Sequence, residues 1–199
     1  AHIMVDAFEA AGLPAGLLNV VQGGRETGAA LLDGDINGLL FTGSAQTGLF
    51  FHRHFAGRPE VILALDMGGN NPLIMWDPAD IEAAADVAAQ SAFLTTGQRC
   101  SCARRVILPT GKWGDEVVDA IVARAKQLRI GDYTEDDAFM GPLVSEQAAQ
   151  NAVDFQMMLS KAGGKSLRRL KRMERGGGFV TAGVIDVTDA TDVPDEELF

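Results

Sequence analysis

The chain is poor in cysteine, histidine and tyrosine, and it has no long apolar run. Its 2 cysteines, Cys100 and Cys102, are too few and too close together for a disulfide framework, so a reducing cytoplasm is the expected location. Its 3 histidines, which include the pair His52 and His54, cannot complete the tetrahedral ligand set that zinc prefers, and we predict no metal site. No apolar run reaches the roughly 18 residues of a membrane-spanning helix, and no signal-peptide pattern opens the chain.

Positive charge is also scarce, because 17 Lys and Arg residues stand against 27 Asp and Glu residues, for a net charge of -10. Binding to nucleic acid phosphates needs a basic face, so we exclude nucleic acid as a partner. The hydrophobic fraction of 47% is ordinary for a globular protein with a core. The chain opens inside a predicted helix with no strand before it, and we expect it to be part of a longer protein.

Predicted strands and helices alternate along the chain, which indicates an α/β fold with a parallel sheet covered on both faces. Apolar runs predict strands at 17–21, 38–41, 61–65, 106–108 and 179–187. Periodicity predicts helices at 25–32, 45–55, 81–95, 113–128 and 146–161, and Asp80 and Ser145 are the N-caps expected for two of them. The basic segment 167–175 is expected to be a solvated excursion.

The stretch from Gly97 to Arg105 carries a candidate nucleophile, Cys100. A reactive thiolate needs a partly open position, positive surroundings and a base within reach. The turn leaves a predicted helix, and Arg99, Arg104 and Arg105 bracket the sulfur. The alternative is a buried structural cysteine, which is the interpretation that we give to Cys102.

A carboxylate upstream, Asp66, is the candidate general base, followed by the pair Gly68 and Gly69. The alternative is that Asp66 caps the Gly68–Gly69 turn. Further upstream, Gly43 and Ser44 form a turn that opens a predicted helix, and backbone N–H groups at a helix start suit a pyrophosphate. An ordinary N-cap at Ser44 is the alternative there.

These motifs, followed by Glu196-Glu197-Leu198-Phe199 at the end of the chain, resemble the NAD(P)-dependent aldehyde dehydrogenase superfamily. The resemblance implies two incomplete domains: residues 1–66 from a Rossmann-like parallel-sheet NAD-binding domain, and residues 67–199 from an α/β catalytic domain. It implies a catalytic role for Cys100 and Asp66. It also implies cofactor contacts from Gly23, Gly43, Ser44, Gly68, Glu197 and Phe199, with NAD expected and NADP left open.

Asp66 departs from the family pattern, since most members have glutamate at that position. Aspartate is one methylene shorter, so its carboxylate reaches roughly 1.5 Å less, about the length of one C–C bond. A bridging water can restore the contact that a general base needs. The departure leaves open a CoA-acylating enzyme, in which a thiol replaces water at the thioester.

Arg99 lies directly beside Cys100, and arginine is suited to binding carboxylates through two parallel hydrogen bonds. Together with Gly69–Leu73 and Gly97–Arg105, it resembles the branch of the family that oxidises a polyanionic semialdehyde in arginine catabolism. Arg99 is therefore the expected substrate residue, whereas we expect Arg105 to make only structural ion pairs and leave Arg104 open. The remaining alternatives are an enzyme for another anionic aldehyde and a catalytically silent fragment. The resemblance also implies a homo-oligomer for the complete enzyme.

Overall fold

The computed structural model describes residues 1–195, and the chain divides into two compact units. The first unit comprises Ala1–Thr42 and Gln46–Asp66, and the second comprises Gly43–Ala45 and the described residues from Met67 onward. In chain order, the helices are α1 (His2–Ala10), α2 (Arg25–Leu32), α3 (Ala45–His54), α4 (Ile81–Phe93), α5 (Lys112–Gln127) and α6 (Glu146–Lys161). The strands are β1 (Gly38–Gly43), β2 (Ile62–Met67), β3 (Pro72–Ile74), β4 (Arg105–Ile107), β5 (Lys165–Arg168) and β6 (Val184–Asp186).

The first unit is built on the pair β1–β2, which α3 connects. The N–H of Ile62 donates to the carbonyl of Asn37 at 3.0 Å. Because these residues lie at the starts of the two strands, the strands run parallel, as predicted. Helices α2 and α3 pack on one face of the pair, where the buried cluster consists of Leu32, Phe55 and Val61, flanked by Ile36, Leu39, Phe51 and Leu63.

The prediction of a sheet covered on both faces is wrong for this pair. Residues alternate between half-buried and exposed along β1 and β2, and Leu40 and Ile62 are 83% and 71% exposed. The reason is that α2 and α3 both contribute to the cluster on the Leu39 and Leu63 side. Within residues 1–195, the opposite face of this pair therefore stays open.

The predicted strand at 17–21 is also wrong, because this segment is irregular and Leu17 and Val21 are exposed. Gly16 adopts a φ of +86°, and the side-chain amide of Asn19 donates to its carbonyl at 2.9 Å. An apolar run becomes a strand only when a neighbouring strand satisfies its backbone groups. The local turn at Gly16 and Asn19 occupies this segment instead.

The second unit begins with β3 and β4, which pair in parallel with Leu73 opposite Val106. Helices α4 and α5 pack on each other, and their shared core contains Met75, Ala85, Ala88, Val117 and Ile121. Asp80 caps α4 as predicted, because its carboxylate accepts from the N–H of Ala83 at 3.0 Å. Arg124 of α5 binds Asp86 of α4 at 2.5 Å, which ties the two helices together.

Helix α6 starts as predicted, since the hydroxyl of Ser145 accepts from the N–H of Ala148 at 3.1 Å. The segment after it differs from the prediction in two ways. Residues 165–168 form β5, which pairs antiparallel with β6, and only residues 184–186 of the predicted strand 179–187 form a strand. Among the described residues, the β5–β6 sheet is therefore antiparallel and separate from the parallel pairs, whereas the alternation predicted parallel pairing.

The basic segment 167–175 is largely exposed, as predicted, but ion pairs also attach it to other parts of the chain. Arg172 pairs with Glu146 at 3.4 Å, and Arg175 pairs with Glu135 at 2.9 Å. The backbone N–H of Asp132 and the guanidinium of Arg175 hold the pKa of Glu135 below its usual value. The basic segment is therefore attached by ion pairs to Glu135, in the loop between α5 and α6, and to the first turn of α6.

Gln156, a buried residue of α6, fixes this segment through two hydrogen bonds to one residue. Its amide nitrogen donates to the carbonyl of Leu170 at 3.1 Å, and its amide oxygen accepts from the N–H of Leu170 at 2.6 Å. Gln156 therefore acts as a partner strand would. Within the described residues, no helix has the length and apolarity of a membrane span.

We expect Gln156→Leu to lower the free energy of unfolding by about 1–3 kcal/mol, because both main-chain groups of Leu170 lose their partner. The measurement is urea unfolding followed by circular dichroism. Gln147→Leu is the matched control on the exposed side of α6, where the lost contact with Asn151 is worth about 0.2–0.5 kcal/mol. Equal losses in both variants would mean that the Gln156 hydrogen bonds contribute no more than the exposed contact between Gln147 and Asn151.

Candidate active site

The turn that carries Cys100 begins with three successive residues in the left-handed backbone region. Thr95, Thr96 and Gly97 have φ values of +53°, +59° and +72°. A β-branched residue rarely adopts positive φ, and each such residue costs on the order of 1–3 kcal/mol. The buried hydroxyl of Thr96 donates to the carbonyl of Gly141 at 2.9 Å, which holds the turn in this conformation.

Gln98 supports the same turn from its other side. Its amide oxygen accepts from the N–H of Val144 at 2.8 Å, and its amide nitrogen donates to the carbonyl of Thr95 at 3.2 Å. The turn is therefore attached to residues 141–144 by both Thr96 and Gln98. The sequence Gly97-Gln98-Arg99-Cys100 did not reveal this structural role.

The three arginines around Cys100 have different surroundings. The guanidinium of Arg104 donates to the carbonyls of Gly97 and, at 3.3 Å, Arg99, so it holds the turn. Arg105 pairs with Asp195 at 3.5 Å, which confirms the structural ion pair expected of it. Arg99 is exposed, and within residues 1–195 no hydrogen bond or ion pair engages its guanidinium.

Cys100 and Cys102 lie in opposite environments two positions apart. Cys100 is exposed in the turn, whereas Cys102 is 4% exposed and its thiol donates to the carbonyl of Leu94 at 3.7 Å. The N–H of Ala103 donates to the carbonyl of Ser91 at 3.0 Å, so the chain after Cys100 folds back onto α4. The exposed position suits a nucleophile, and the buried position suits a structural cysteine.

Asn71 contacts the turn directly, which the sequence did not reveal. Its side-chain nitrogen donates to the carbonyl of Cys100 at 2.5 Å and to the carbonyl of Cys102 at 3.0 Å. Its own carbonyl accepts from the N–H groups of Arg104 and Arg105 at 2.9 and 3.2 Å. The sequence Asn70-Asn71-Pro72 indicates a turn, but it does not predict which main-chain groups the Asn71 amide binds.

Asp66 lies in the first unit, at the carboxyl ends of the parallel strands β1 and β2. A cleft of ≈ 440 Å³ opens at these ends, and its lining consists of Leu40, Phe41, Thr42, Ala64, Leu65 and Asp66. In open α/β sheets, ligands bind outside the carboxyl ends of the strands. Cys100 lies in the second unit, and the pairing of Asp66 with Cys100 stays a prediction.

The predicted cofactor residues lie at the ends of strands and the starts of helices. Gly43 ends β1, and its carbonyl accepts from the N–H of Gly68 at 3.1 Å, so these two predicted residues meet. Ser44 is exposed and directly precedes α3, whose first N–H groups suit an anion. Glu197 and Phe199 lie outside the described residues.

Gly23 precedes α2 and has a local reason to lack a side chain. A Cβ atom built there would lie 2.0 Å from the hydroxyl oxygen of Thr27. This close approach to the first turn of α2 requires glycine, whether or not a ligand binds there.

His52 and His54 are exposed on α3, in agreement with the solvated helix face that we expected. Among the described residues, no group of three or more His, Cys, Asp or Glu side chains converges to hold a metal ion.

A sequence profile of the aldehyde dehydrogenase family matches residues 1–199. The N-succinylglutamate 5-semialdehyde dehydrogenase of Caulobacter sp. (strain K31) is 52% identical over 200 aligned positions, which cover 100% of this chain and 40% of the relative. The enzyme of the same name from Salmonella typhimurium (strain LT2) is 49% identical and covers 98% of this chain. The chain therefore spans about two fifths of the length of these relatives.

Solved structures give the same family. An NAD⁺ complex of aldehyde dehydrogenase from Bacillus cereus superposes with a TM-score of 0.90 at 33% identity, over 99% of this chain and 40% of that one. A succinate-semialdehyde dehydrogenase from Burkholderia pseudomallei gives a TM-score of 0.86 at 30% identity, over 98% of this chain and 40% of that one. The predicted α/β class is confirmed, since the mixed helices and strands of this chain superpose on those folds.

We expect iodoacetamide to label Cys100 much faster than Cys102 in the folded protein, because only Cys100 is exposed. Trypsin cleavage after Arg99 and Arg104 releases both cysteines in one peptide, so fragment spectra must assign the label. Labelling in urea is the control in which both thiols are accessible. Equal rates in the folded protein would contradict the assignment of Cys100 as the reactive thiol.

Proposed function

The chain belongs to the aldehyde dehydrogenase family, and from this premise we propose that the complete protein oxidises an aldehyde to a carboxylate through Cys100. The observation that carries the proposal is the exposed thiol of Cys100 on a turn held by Thr96, Gln98 and Arg104. A nucleophile needs access for the substrate and a fixed direction of attack. The buried thiol of Cys102 lacks that access.

In the proposed reaction, the thiolate of Cys100 attacks the aldehyde carbon, and the carbonyl oxygen becomes that of a thiohemiacetal. Loss of a hydride from that carbon leaves a thioester on Cys100. Asp66 then takes a proton from a water molecule while the oxygen of that water attacks the thioester carbon. The carboxylate product leaves, and the thiolate of Cys100 is restored.

NAD is the proposed hydride acceptor, and the NAD⁺ complexes of relatives from Bacillus cereus and Sinorhizobium meliloti support this choice. The cleft at the carboxyl ends of β1 and β2 and the start of α3 fit a dinucleotide. Gly23, Gly43, Ser44 and Gly68 would bind it, and by resemblance Glu197 and Phe199 would do so at its nicotinamide end. NADP remains the alternative that kinetics must compare.

The proposed substrate is N-succinylglutamate 5-semialdehyde, the aldehyde named for relatives that are 49–52% identical to this chain. Such a substrate carries several carboxylates. Arg99 lies beside Cys100 and has no hydrogen-bond or ion-pair partner for its guanidinium within residues 1–195. A guanidinium without an internal partner is available to a carboxylate of the substrate.

The domain assignment belongs to the same proposal. Residues 1–66 would bind the cofactor, and residues 67–199 would carry the thiol. We further propose a cytoplasmic homo-oligomer for the complete enzyme, in which neither cysteine forms a disulfide and both are reduced.

The direct test is NADH formation by the complete protein with the semialdehyde, with and without CoA. Steady NADH formation without CoA is the expected result. Strict dependence on CoA would mean that a thiol, rather than water activated by Asp66, releases the acyl group. If Cys100 can be alkylated but the protein forms no NADH, the result would contradict the proposal and favour a catalytically silent protein.

We expect Arg99→Ala to raise KM for the carboxylated aldehyde by roughly 10- to 150-fold, since a charged hydrogen bond is worth about 1.5–3 kcal/mol. An uncharged aldehyde should be hardly affected. Arg53→Ala is the control, because Arg53 is also exposed and its guanidinium has no hydrogen-bond or ion-pair partner within residues 1–195. Equal effects on both aldehydes would assign Arg99 a structural role.

We expect Asp66→Asn to give a burst of about one NADH per active site and then to stall, because the thioester forms but water is not activated. Steady turnover should fall about 10²–10⁴-fold. Rapid-mixing absorbance at the NADH band measures both phases, and Asp119→Asn on the exposed side of α5 is the matched control. Unchanged steady turnover in Asp66→Asn would exclude Asp66 as the base.

Asp66→Glu tests the shorter reach of aspartate. If hydrolysis limits the rate, the longer side chain should raise turnover. If the added methylene overpacks the site, it should instead lower stability by roughly 1–3 kcal/mol and reduce activity. Thermal unfolding measured beside turnover separates these two results.

A further inference from the structure

We propose that Asn71 is a positioning residue for Cys100: its side-chain amide binds the main chain on both sides of Ser101 and so fixes the direction of the thiol. This inference rests on the proposed function, in which Cys100 is the nucleophile. The amide nitrogen of Asn71 donates to the carbonyl of Cys100 at 2.5 Å and to the carbonyl of Cys102 at 3.0 Å. An amide NH₂ group has two hydrogens, and each has one of these carbonyls as its acceptor.

The main chain of Asn71 is itself held by hydrogen bonds at the start of β4. Its carbonyl accepts from the N–H groups of Arg104 and Arg105 at 2.9 and 3.2 Å. Pro72, the next residue, lies opposite Arg105 in the parallel ladder of β3 and β4. Asn71 therefore binds the turn through its side chain and binds the residues that follow the turn through its main chain.

Gly69 supports this arrangement by lacking a side chain. A Cβ atom at Gly69 would lie 2.9 Å from the amide oxygen of Asn71, which is too close for unstrained contact. The amide oxygen is thus turned toward Gly69, while the amide nitrogen faces the two carbonyls of the turn. Alanine at Gly69 would push the Asn71 amide out of this orientation.

The contacts of Asn71 affect the orientation of the Cys100 thiol rather than its exposure. The bonds from Asn71 are to main-chain carbonyls, so they fix the backbone from which the thiol projects. Thr96, Gln98 and Arg104 hold the residues before Cys100. Asn71 binds the main chain of Cys100 itself and of the segment after it.

The test compares Asn71→Ala with unmodified complete enzyme in two reactions of Cys100. Single-turnover NADH formation needs a correctly directed thiol, and a misplacement of about 1 Å can cost about 10²-fold in rate. Labelling by iodoacetamide needs only an accessible thiolate. We expect the single-turnover rate to fall roughly 10- to 100-fold, while the labelling rate and KM for NAD change little.

Asn151→Ala is the matched control, since Asn151 is an exposed asparagine on α6 whose side chain binds only Gln147 among the described residues. It should leave all three measurements unchanged. If Asn71→Ala does not fold, Asn71→Leu has a side chain of similar length and removes both donors without adding a charge, and the same separation of rates is expected.

An unchanged single-turnover rate in a folded variant would overturn the positioning role. Parallel loss of the single-turnover rate, the labelling rate and the melting temperature would overturn it too, since it would mark general loss of structure. Failure of the proposed function looks different: the unmodified enzyme would form no NADH, and the positioning role of Asn71 would be overturned with it.

Discussion

The left-handed backbone at Thr95, Thr96 and Gly97 is the constraint on which the candidate site depends. The chain leaves α4 at Phe93 and enters β4 at Arg105 in parallel register with β3, and the three successive positive φ values lie in this connection. Two of them fall on β-branched residues, so the conformation is costly and needs support. The surrounding contacts of Thr96, Gln98, Arg104 and Asn71 supply that support.

The contacts that support this backbone engage some of the basic residues near Cys100. Three arginines beside a cysteine suggest an electropositive pocket, but two of them are engaged elsewhere. Arg104 donates to carbonyls of the turn, and Arg105 binds Asp195 and the carbonyl of Asn70. Arg99 is the arginine of the three that stays available to a ligand within the described residues. The substrate proposal therefore depends on Arg99 alone.

Local signals in the sequence predicted much of the fold, and contacts between distant residues account for what it missed. Asp80 and Ser145 predicted the starts of their helices because an N-cap side chain accepts hydrogen bonds from N–H groups within a few residues. The apolar run at 17–21 failed as a strand because strand formation depends on a partner that composition does not specify. The amide of Asn71 and the arginines of 167–175 find acceptors far along the chain, so no periodicity points to them. The motif that makes Cys100 a candidate nucleophile is local in the sequence, whereas the contacts of the residues that hold its turn are not.

The most direct test of the account is mass spectrometry of the complete protein quenched with acid during turnover with the semialdehyde and NAD. The account predicts an acyl adduct on Cys100, assigned by fragment spectra within the tryptic peptide that also contains Cys102. The adduct should be absent without NAD and absent from Cys100→Ser, whose turnover should also be lost. Turnover that persists in Cys100→Ser, or an adduct confined to Cys102, would contradict the account.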